Sequence, residues 1–294
     1  MNAAQIGLFA DEVAAPMRTR PKGQILKWVG NKYRHAAVIA KYLPAGFDTY
    51  YEPFVGTGAV LATIRPERAV AGDTLPMLVA LLQTVQTDPD RVADHYEMWR
   101  DQIVERGRDA YLEVRDRYNG CPNPLDLMVL SRTCYGGVVR FTRQGTMSTP
   151  MGPHRAMPAE KLRLRLDEWQ ERIATVRFEC QDFSETISEA GAGDLVYCDP
   201  PYVHGQTILY GAQDFSLDEL WKALGGAIER GASVAVSVDG WRQSGDKEID
   251  PSLVEGMFAR ELLIERGGCM LRRFQMIGED MAAEQVADRL LLSW

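Results

Sequence analysis

The sequence lacks several features that would place it outside the globular enzymes. Its 294 residues contain no run of 18 apolar residues, so no membrane-spanning helix is predicted and we expect no membrane partner. Its five cysteines form no Cys-x-x-Cys pair, which excludes a disulfide scaffold and favours reduced thiols in a cytoplasmic protein. Its four histidines show no metal-ligand spacing, so we expect no metal site. Residues 1–16 have acids but no Lys or Arg, and we predict a flexible tail rather than a secretory signal.

Charge is unevenly distributed along the chain. The net charge is −8, which by itself argues against a nucleic-acid partner. However, residues 13–47 hold seven Lys or Arg and no acid, and residues 131–165 hold seven against one Glu. Either basic stretch alone would indicate only an ordinary solvent-exposed surface. Two basic stretches on an otherwise acidic chain indicate a local binding site for a polyanion.

Hydrophobic periodicity predicts an α/β core that is interrupted once. A helix is expected over residues 32–43, strands over 49–55 and 69–71, and another helix from residue 75. This order, with a glycine turn after the first strand, is typical of a doubly wound, Rossmann-like sheet. The pattern returns with predicted strands at 176–180, 194–198, 233–238, 260–265 and 288–294, and a capping box at 216–219.

The interruption is mostly helical. Asp88-Pro89 predicts a helix start, and residues 136–158 contain Gly, Pro, Thr and Met without periodicity, which indicates a long loop. We therefore divide the chain into a tail (1–16), a core domain (17–87 and 166–294) and an inserted domain (88–165).

Two motifs follow predicted strands and carry the candidate chemistry. In the first, Glu52-Pro53-Phe54-Val55-Gly56-Thr57-Gly58, the glycines allow a ligand to approach the backbone closely, and Asp73 ends the next strand. A carboxylate there can accept hydrogen bonds from both hydroxyls of a ribose. The motif lacks the third glycine of dinucleotide-binding sites, which favours a ligand with a single nucleoside. The second motif, Asp199-Pro200-Pro201-Tyr202, follows the apolar strand at 194–198, where doubly wound folds bind ligands.

Together these motifs resemble those of the amino-methylating DNA methyltransferases. Residues 25–32, Ile-Leu-Lys-Trp-Val-Gly-Asn-Lys, are similar to the Lys-Trp-x-Gly-x-Lys motif of the Dam-type, D12-class adenine-N6 group. The order of the three motifs, with an insertion before Asp-Pro-Pro-Tyr, matches the α-group, in which the inserted domain recognises the target. The resemblance spans about residues 20–294 and implies a site-specific enzyme of bacterial or phage origin that methylates adenine in double-stranded DNA.

The resemblance implies S-adenosylmethionine as the cofactor and assigns roles to particular residues. Trp28 and Lys32 would line the cofactor pocket, and Asp73 would hold the ribose. Asp182-Phe183 resembles the segment that contacts the cofactor adenine. The first motif would hold the methionine end through Glu52, Phe54, Gly56 and Gly58.

The second motif suits transfer to an amino group. Asp199 and the carbonyl of Pro200 can accept hydrogen bonds from the two N–H groups of an adenine amine, which aims the lone pair of the nitrogen at the methyl group. Asp199 would also lie near the sulfonium. Pro201 stiffens the turn, and Tyr202 can stack on the base once it has left the duplex. Cytosine-C5 methylation would instead need a Pro-Cys pair, and the chain has only the reversed Cys121-Pro122.

The inserted domain resembles the family's recognition loop at residues 135–140, Tyr-Gly-Gly-Val-Val-Arg. Tyr135 would help to open the duplex and Arg140 would read a guanine, although Gly136 stands where an asparagine is expected. The remaining DNA-contact candidates are basic residues that could bind phosphate: Lys27, Arg132, Arg143 and Arg155.

Other interpretations of the sequence stay open. Gln5-Ile6-Gly7-Leu8-Phe9 resembles the pentapeptide by which bacterial replication proteins dock on the sliding clamp, but a loosely packed tail is the commoner meaning of five such residues. A cognate restriction endonuclease is a further possible partner. An RNA or protein-glutamine methyltransferase, and an inactive DNA-binding relative, are the alternative functions.

Overall fold

The computed structural model describes residues 18–142, 144–201, 215–239, 256–265 and 287–294. Seven strands within these ranges form one sheet: β1 (Tyr50–Glu52), β2 (Ala69–Asp73), β3 (Val176–Cys180), β4 (Leu195–Cys198), β5 (Ser233–Asp239), β6 (Arg260–Glu265) and β7 (Ala287–Leu292). Their order across the sheet is β3-β2-β1-β4-β5-β7-β6. The first five are parallel, and β7 runs antiparallel between β5 and β6.

This topology places a ligand site at one edge of the sheet. The strand order reverses direction between β1 and β4, and doubly wound sheets bind ligands beyond the carboxyl ends of the strands at such a switch point. The predicted Rossmann-like core is therefore confirmed. The ends of β1, β2 and β4 bring together the motifs that follow these strands.

Helices pack on both faces of the sheet. They are α1 (Ala36–Tyr42), α2 (Ala59–Ile64), α3 (Pro76–Thr87), α4 (Pro89–Arg106), α5 (Arg108–Gly120), α6 (Pro124–Thr133), α7 (Ala159–Ile173), α8 (Phe183–Ser188) and α9 (Leu217–Glu229). Alternate strand residues enter two hydrophobic clusters: Tyr50 and Ala71 pack with α1 to α7, and Tyr51 and Val70 pack with α8 and α9.

Side-chain caps fix the starts of two helices as the sequence predicts. The Asp88 carboxylate accepts from the Arg91 N–H at 3.1 Å at the start of α4, where Pro89 occupies the first helical position. The Ser216 hydroxyl accepts from the Glu219 N–H at 3.3 Å at the start of α9.

The inserted residues share the hydrophobic core of the sheet. The apolar face of α4 and the buried side chains of α5 and α6 join the same cluster as Tyr50. The predicted domain boundary after residue 165 falls inside α7, whose buried Leu162, Leu166 and Trp169 form one continuous face on both sides of that point. The helix therefore runs across the predicted boundary, and the division of the chain into two domains stays a prediction.

Two predicted elements are shorter than the sequence suggests. The strand expected over 49–55 ends at Glu52, because Pro53 has no N–H for the ladder and the chain turns into the glycine motif. The helix expected over 32–43 is divided at His35 into a short 3-10 helix, Lys32–Arg34, and α1. Within the described ranges, no helix combines the length and apolar character needed to cross a membrane.

Candidate active site

A cavity of about 340 Å³ opens at the carboxyl ends of β1, β2 and β4. This volume is within the range of small-molecule and cofactor sites. Nine of the residues predicted to bind the cofactor line it: Trp28, Lys32, Glu52, Phe54, Gly56, Asp73, Asp182, Phe183 and Asp199. The fold thus brings three separate sequence motifs to one pocket.

The two glycines of the first motif have different roles. Gly56 lines the cavity with φ +49°, and no heavy atom lies within 4 Å of the position a Cβ would take. Its bare backbone therefore leaves space for a ligand. Gly58 caps α2 with φ +69°, and a Cβ there would contact Leu61, Val55 and Trp169 instead. Gly58 is not among the residues that line the cavity, and its contact with the cofactor stays a prediction.

Asp73 lies at the end of β2 and stabilises the glycine turn. Its carboxylate accepts from the Gly56 N–H at 3.1 Å and from the Leu75 N–H at 3.0 Å. Burial raises the pKa of Asp73, and these backbone hydrogen bonds oppose that rise. Because each carboxylate oxygen has two lone pairs, both can still accept a ribose hydroxyl.

Three aromatic rings form the apolar end of the cavity. Phe54 stacks on Phe183 with ring centroids 5.4 Å apart, and Phe215 packs edge-on against each at 5.8 Å. Phe215 and Glu219 also line the cavity, although the sequence predicts neither as a site residue. Asp182 has a structural task as well, since its carboxylate caps α8 by accepting from the Ser184 N–H at 2.9 Å.

The segment that carries the Lys-Trp motif is held by residues of α6 and α7. Arg132 donates to the Ile25 carbonyl at 3.0 Å, and Arg165 donates to the Gln24 carbonyl at 2.8 Å. The Trp169 indole donates to the Gly23 carbonyl at 2.8 Å. These contacts correct the prediction that Arg132 binds phosphate, because its guanidinium is turned into the protein.

The second motif meets the Lys-Trp motif inside the cavity. Lys32 Nζ lies 2.5 Å from Asp199 Oδ1, and the exposed fractions of these side chains are 5% and 18%. Pro200 is buried and Pro201 lines the cavity. Tyr202 lies outside the described residues.

Glu52 is a second carboxyl group that lines the cavity with Asp199. It is buried and accepts a hydrogen bond from the Tyr50 hydroxyl at 2.7 Å. Burial, with a smaller contribution from the charge of Asp199, raises the pKa of Glu52 to about 8. Glu52 is therefore mostly protonated at neutral pH.

Cysteine chemistry is not favoured at this site. Cys198 ends β4 and is fully buried, and burial followed by the charges of Glu52 and Asp199 raises the pKa of its thiol well above the usual range. A thiol in such a setting is a packing residue rather than a nucleophile. No group of His, Cys, Asp and Glu suited to a metal ion occurs among the residues that the structure describes.

The predicted recognition loop begins with a tight turn, Tyr135–Gly137, after α6. Both glycines have positive φ, and a Cβ on Gly137 would lie 2.5 Å from Lys27 Cβ, so the loop packs directly against the Lys-Trp segment. The Tyr135 side chain is 42% exposed. Gly136 provides no side chain at the place where the family resemblance suggests an asparagine.

Arg140 is exposed on a backbone that is fixed from both sides. Its N–H donates to the Thr149 hydroxyl at 3.0 Å, and its carbonyl accepts from the Ser148 N–H at 2.9 Å. The Arg140 guanidinium forms no hydrogen bond or ion pair with the residues that the structure describes. Arg155 is also exposed, and Lys27 is half-buried with its pKa lowered by burial and by Arg132. Arg143 lies outside the described residues.

The fold and the cavity define a Rossmann-like methyltransferase, in which a glycine turn, the carboxylate of Asp73 and an Asp-Pro-Pro turn surround one pocket. The chain belongs to the D12 class of N6 adenine-specific DNA methyltransferases, the family that matches residues 28–219. This membership confirms the predicted enzyme class and DNA as its substrate.

The names of three curated relatives agree with the family. A DNA adenine methylase of Serratia marcescens is 33% identical over 186 residues, which are 60% of this chain and 66% of that protein. A DNA adenine methylase of Vibrio cholerae is 28% identical over 228 residues, 72% of this chain and 79% of that protein. A DNA N-6-adenine-methyltransferase of Escherichia phage P1 is 28% identical over 83% of this chain and 33% of that protein. A solved rRNA methyltransferase from Streptomyces viridochromogenes gives a TM-score of 0.40 at 16% identity, covering 92% of this chain and 89% of that one.

Proposed function

We propose that this enzyme takes its methyl group from S-adenosylmethionine and transfers it to N6 of an adenine flipped out of duplex DNA. The observation that carries the proposal is the position of Asp199, which lines the same cavity as Gly56 and Asp73. A cofactor held by the glycine turn and the ribose carboxylate would present its other end to this aspartate. Bound S-adenosylmethionine supplies a methyl group on a positively charged sulfonium.

The chain's own residues would act by positioning. An adenine amine is a poor nucleophile, because its lone pair is delocalised into the ring. Asp199 and the Pro200 carbonyl would accept hydrogen bonds from its two N–H groups and hold the nitrogen in line with the methyl group. The negative charge of Asp199 would also stabilise the positive charge that develops on the amine. The phenylalanines at 54, 183 and 215 are suited to hold the cofactor adenine by ring contacts.

Transfer of a labelled methyl group tests the proposal and its alternatives. With tritiated S-adenosylmethionine, we expect label in N6-methyladenine of duplex DNA and not in RNA or protein. Label in RNA or in protein glutamine would support the second enzyme function instead. No transfer by a folded protein that still binds duplex DNA would identify an inactive relative.

Arg140 is proposed to read a guanine by contacting its O6 and N7 atoms. A bidentate contact of this kind contributes about 1–3 kcal/mol of discrimination, so Arg140→Ala should lose roughly tenfold or more in selectivity at one base pair. Methylation sequencing of host DNA would give the motif for wild type and variant. Arg155→Ala is the control, since loss of a phosphate contact weakens all sequences alike. An unchanged motif with uniformly reduced methylation would make Arg140 a phosphate contact.

The N-terminal pentapeptide Gln5–Phe9 lies outside the described residues, and clamp docking is proposed from its sequence alone. An adjacent apolar pair in such a peptide fills a hydrophobic groove. The double variant Leu8→Ala, Phe9→Ala should therefore lose association with the sliding clamp in a pull-down and keep full activity on short duplexes. If the wild-type protein itself brings down no clamp, the idea fails.

We also propose where the enzyme acts in the cell. The relatives named above come from bacteria and a phage, which supports a cytoplasmic enzyme with access to the chromosome. A restriction endonuclease of the same specificity remains a proposed partner.

A further inference from the structure

The carboxylate proposed to hold the target amine is itself held by a buried lysine. Lys32 opens the short 3-10 helix Lys32–Arg34, and the Asn31 side chain caps that helix by accepting from the Tyr33 N–H at 2.7 Å. The capped helix therefore fixes the backbone at Lys32 and so restricts the position of its side chain. There its ammonium lies 2.5 Å from Asp199 Oδ1, with only 5% of the side chain exposed.

Two further ionisable groups lie near Asp199, and both are acids. Glu52 on β1 lies close enough for the charge of Asp199 to contribute to raising its pKa, after the larger effect of burial. Cys198, which precedes Asp199 on β4, has a pKa raised by burial and by both carboxyl groups. The raised pKa values favour the neutral form of both groups, so neither supplies a positive charge to Asp199. Among the described residues, Lys32 is the cation in direct contact with this carboxylate, and an opposite charge at contact favours the ionised form.

We infer that Lys32 is a positioning residue for Asp199: by binding one carboxylate oxygen, it fixes the rotation of the carboxylate and keeps it ionised to accept the target amine. This inference rests on the proposed function. A protonated Asp199 would have lost an acceptor position and its negative charge, and transfer would slow. The role differs from that implied by the family resemblance, in which Lys32 lines the pocket for the cofactor.

The pH dependence of single-turnover methyl transfer, at saturating cofactor and duplex, separates these roles. In Lys32→Met the acid limb of the rate profile should move upward by about one to three pH units, the usual effect of an opposite charge at contact distance. The rate should therefore fall at least about tenfold on the acid side and recover most of its deficit at alkaline pH. Lys32→Arg, which keeps the charge, should restore much of the wild-type profile. Lys222→Met removes an exposed lysine of α9, outside both basic stretches, as the matched control and should leave the profile unchanged.

Calorimetric binding of S-adenosylmethionine to the same variants provides the second readout. Affinity close to wild type in Lys32→Met, together with the shifted profile, is the expected result. Weaker cofactor binding with an unshifted profile would overturn the inference and make Lys32 a cofactor ligand. An equal loss of rate at every pH without rescue by arginine would also overturn it, since that result indicates a purely structural role.

Two controls keep the test decisive. Thermal unfolding shows whether each variant folds; if Lys32→Met does not, Lys32→Gln, which keeps a donor without the charge, carries the same expectation. Absence of methyl transfer by the wild-type protein would count against the proposed function, whereas wild-type transfer with an unshifted variant profile would count against the lysine alone.

Discussion

Asp199→Ala is expected to abolish methyl transfer while duplex binding persists. The variant removes the acceptor for the target amine and the charge opposite the developing cation, and the exposed Arg140 and Arg155 are untouched. Because Lys32 would lose its contact with a carboxylate, Asp199→Ala should also lower the free energy of unfolding. Labelled methyl transfer, gel-shift binding and thermal unfolding measure the three effects separately.

Asp199→Asn refines this result. Asparagine keeps the shape and one acceptor oxygen but not the charge, so we expect a folded protein slowed by about 10²–10³-fold. Near-normal turnover in either variant would contradict the catalytic assignment. Asp167→Asn, at an exposed aspartate of α7, is the matched control and should retain full activity.

Asp73→Ala is expected to have the largest effect on cofactor affinity. A hydrogen bond to a charged group contributes about 1.5–3 kcal/mol, so losing even one ribose contact should weaken S-adenosylmethionine binding by roughly tenfold to a hundredfold. Loss of the bonds from Gly56 and Leu75 should loosen the glycine turn as well. Calorimetry would measure the affinity and thermal unfolding the stability.

A comparison with Asp73→Asn separates the two effects. Asparagine keeps one oxygen for the backbone N–H groups and so preserves more of the turn, whereas the charge is lost in both variants. Cofactor affinity within about twofold of wild type in a folded Asp73→Ala protein would contradict the ribose assignment, because such a change is below 0.5 kcal/mol. DNA binding measured without cofactor should be unaffected in both variants.

Local patterns in the sequence were sufficient to predict the core and the position of its pocket. The β-strands 176–180 and 260–265 and the caps Asp88 and Ser216 depend on neighbouring residues, so periodicity and capping rules locate them. The motifs that end β1, β2 and β4 meet because parallel strands share a carboxyl edge.

Other parts of the site depend on contacts between distant segments. Arg132 looks like any basic residue of an exposed stretch until the fold brings the Ile25 carbonyl to it. Phe215 enters the cavity through its packing on Phe54 and Phe183, which are far away in sequence. The ion pair between Lys32 and Asp199 joins two motifs that are read separately. Single-sequence patterns contain no signal for such pairs.

The continuous core beneath the insertion limits how sequence specificity can diverge in this enzyme. Substitutions on α4 to α7 would disturb the packing that supports the sheet and its cofactor pocket, since these helices and β1 share one hydrophobic cluster. The loop between α6 and α7 carries the exposed Tyr135 and Arg140 and contributes less to that core. New recognition sequences should therefore arise by exchange of this loop alone, and chimaeras that transplant the whole insertion should fold poorly.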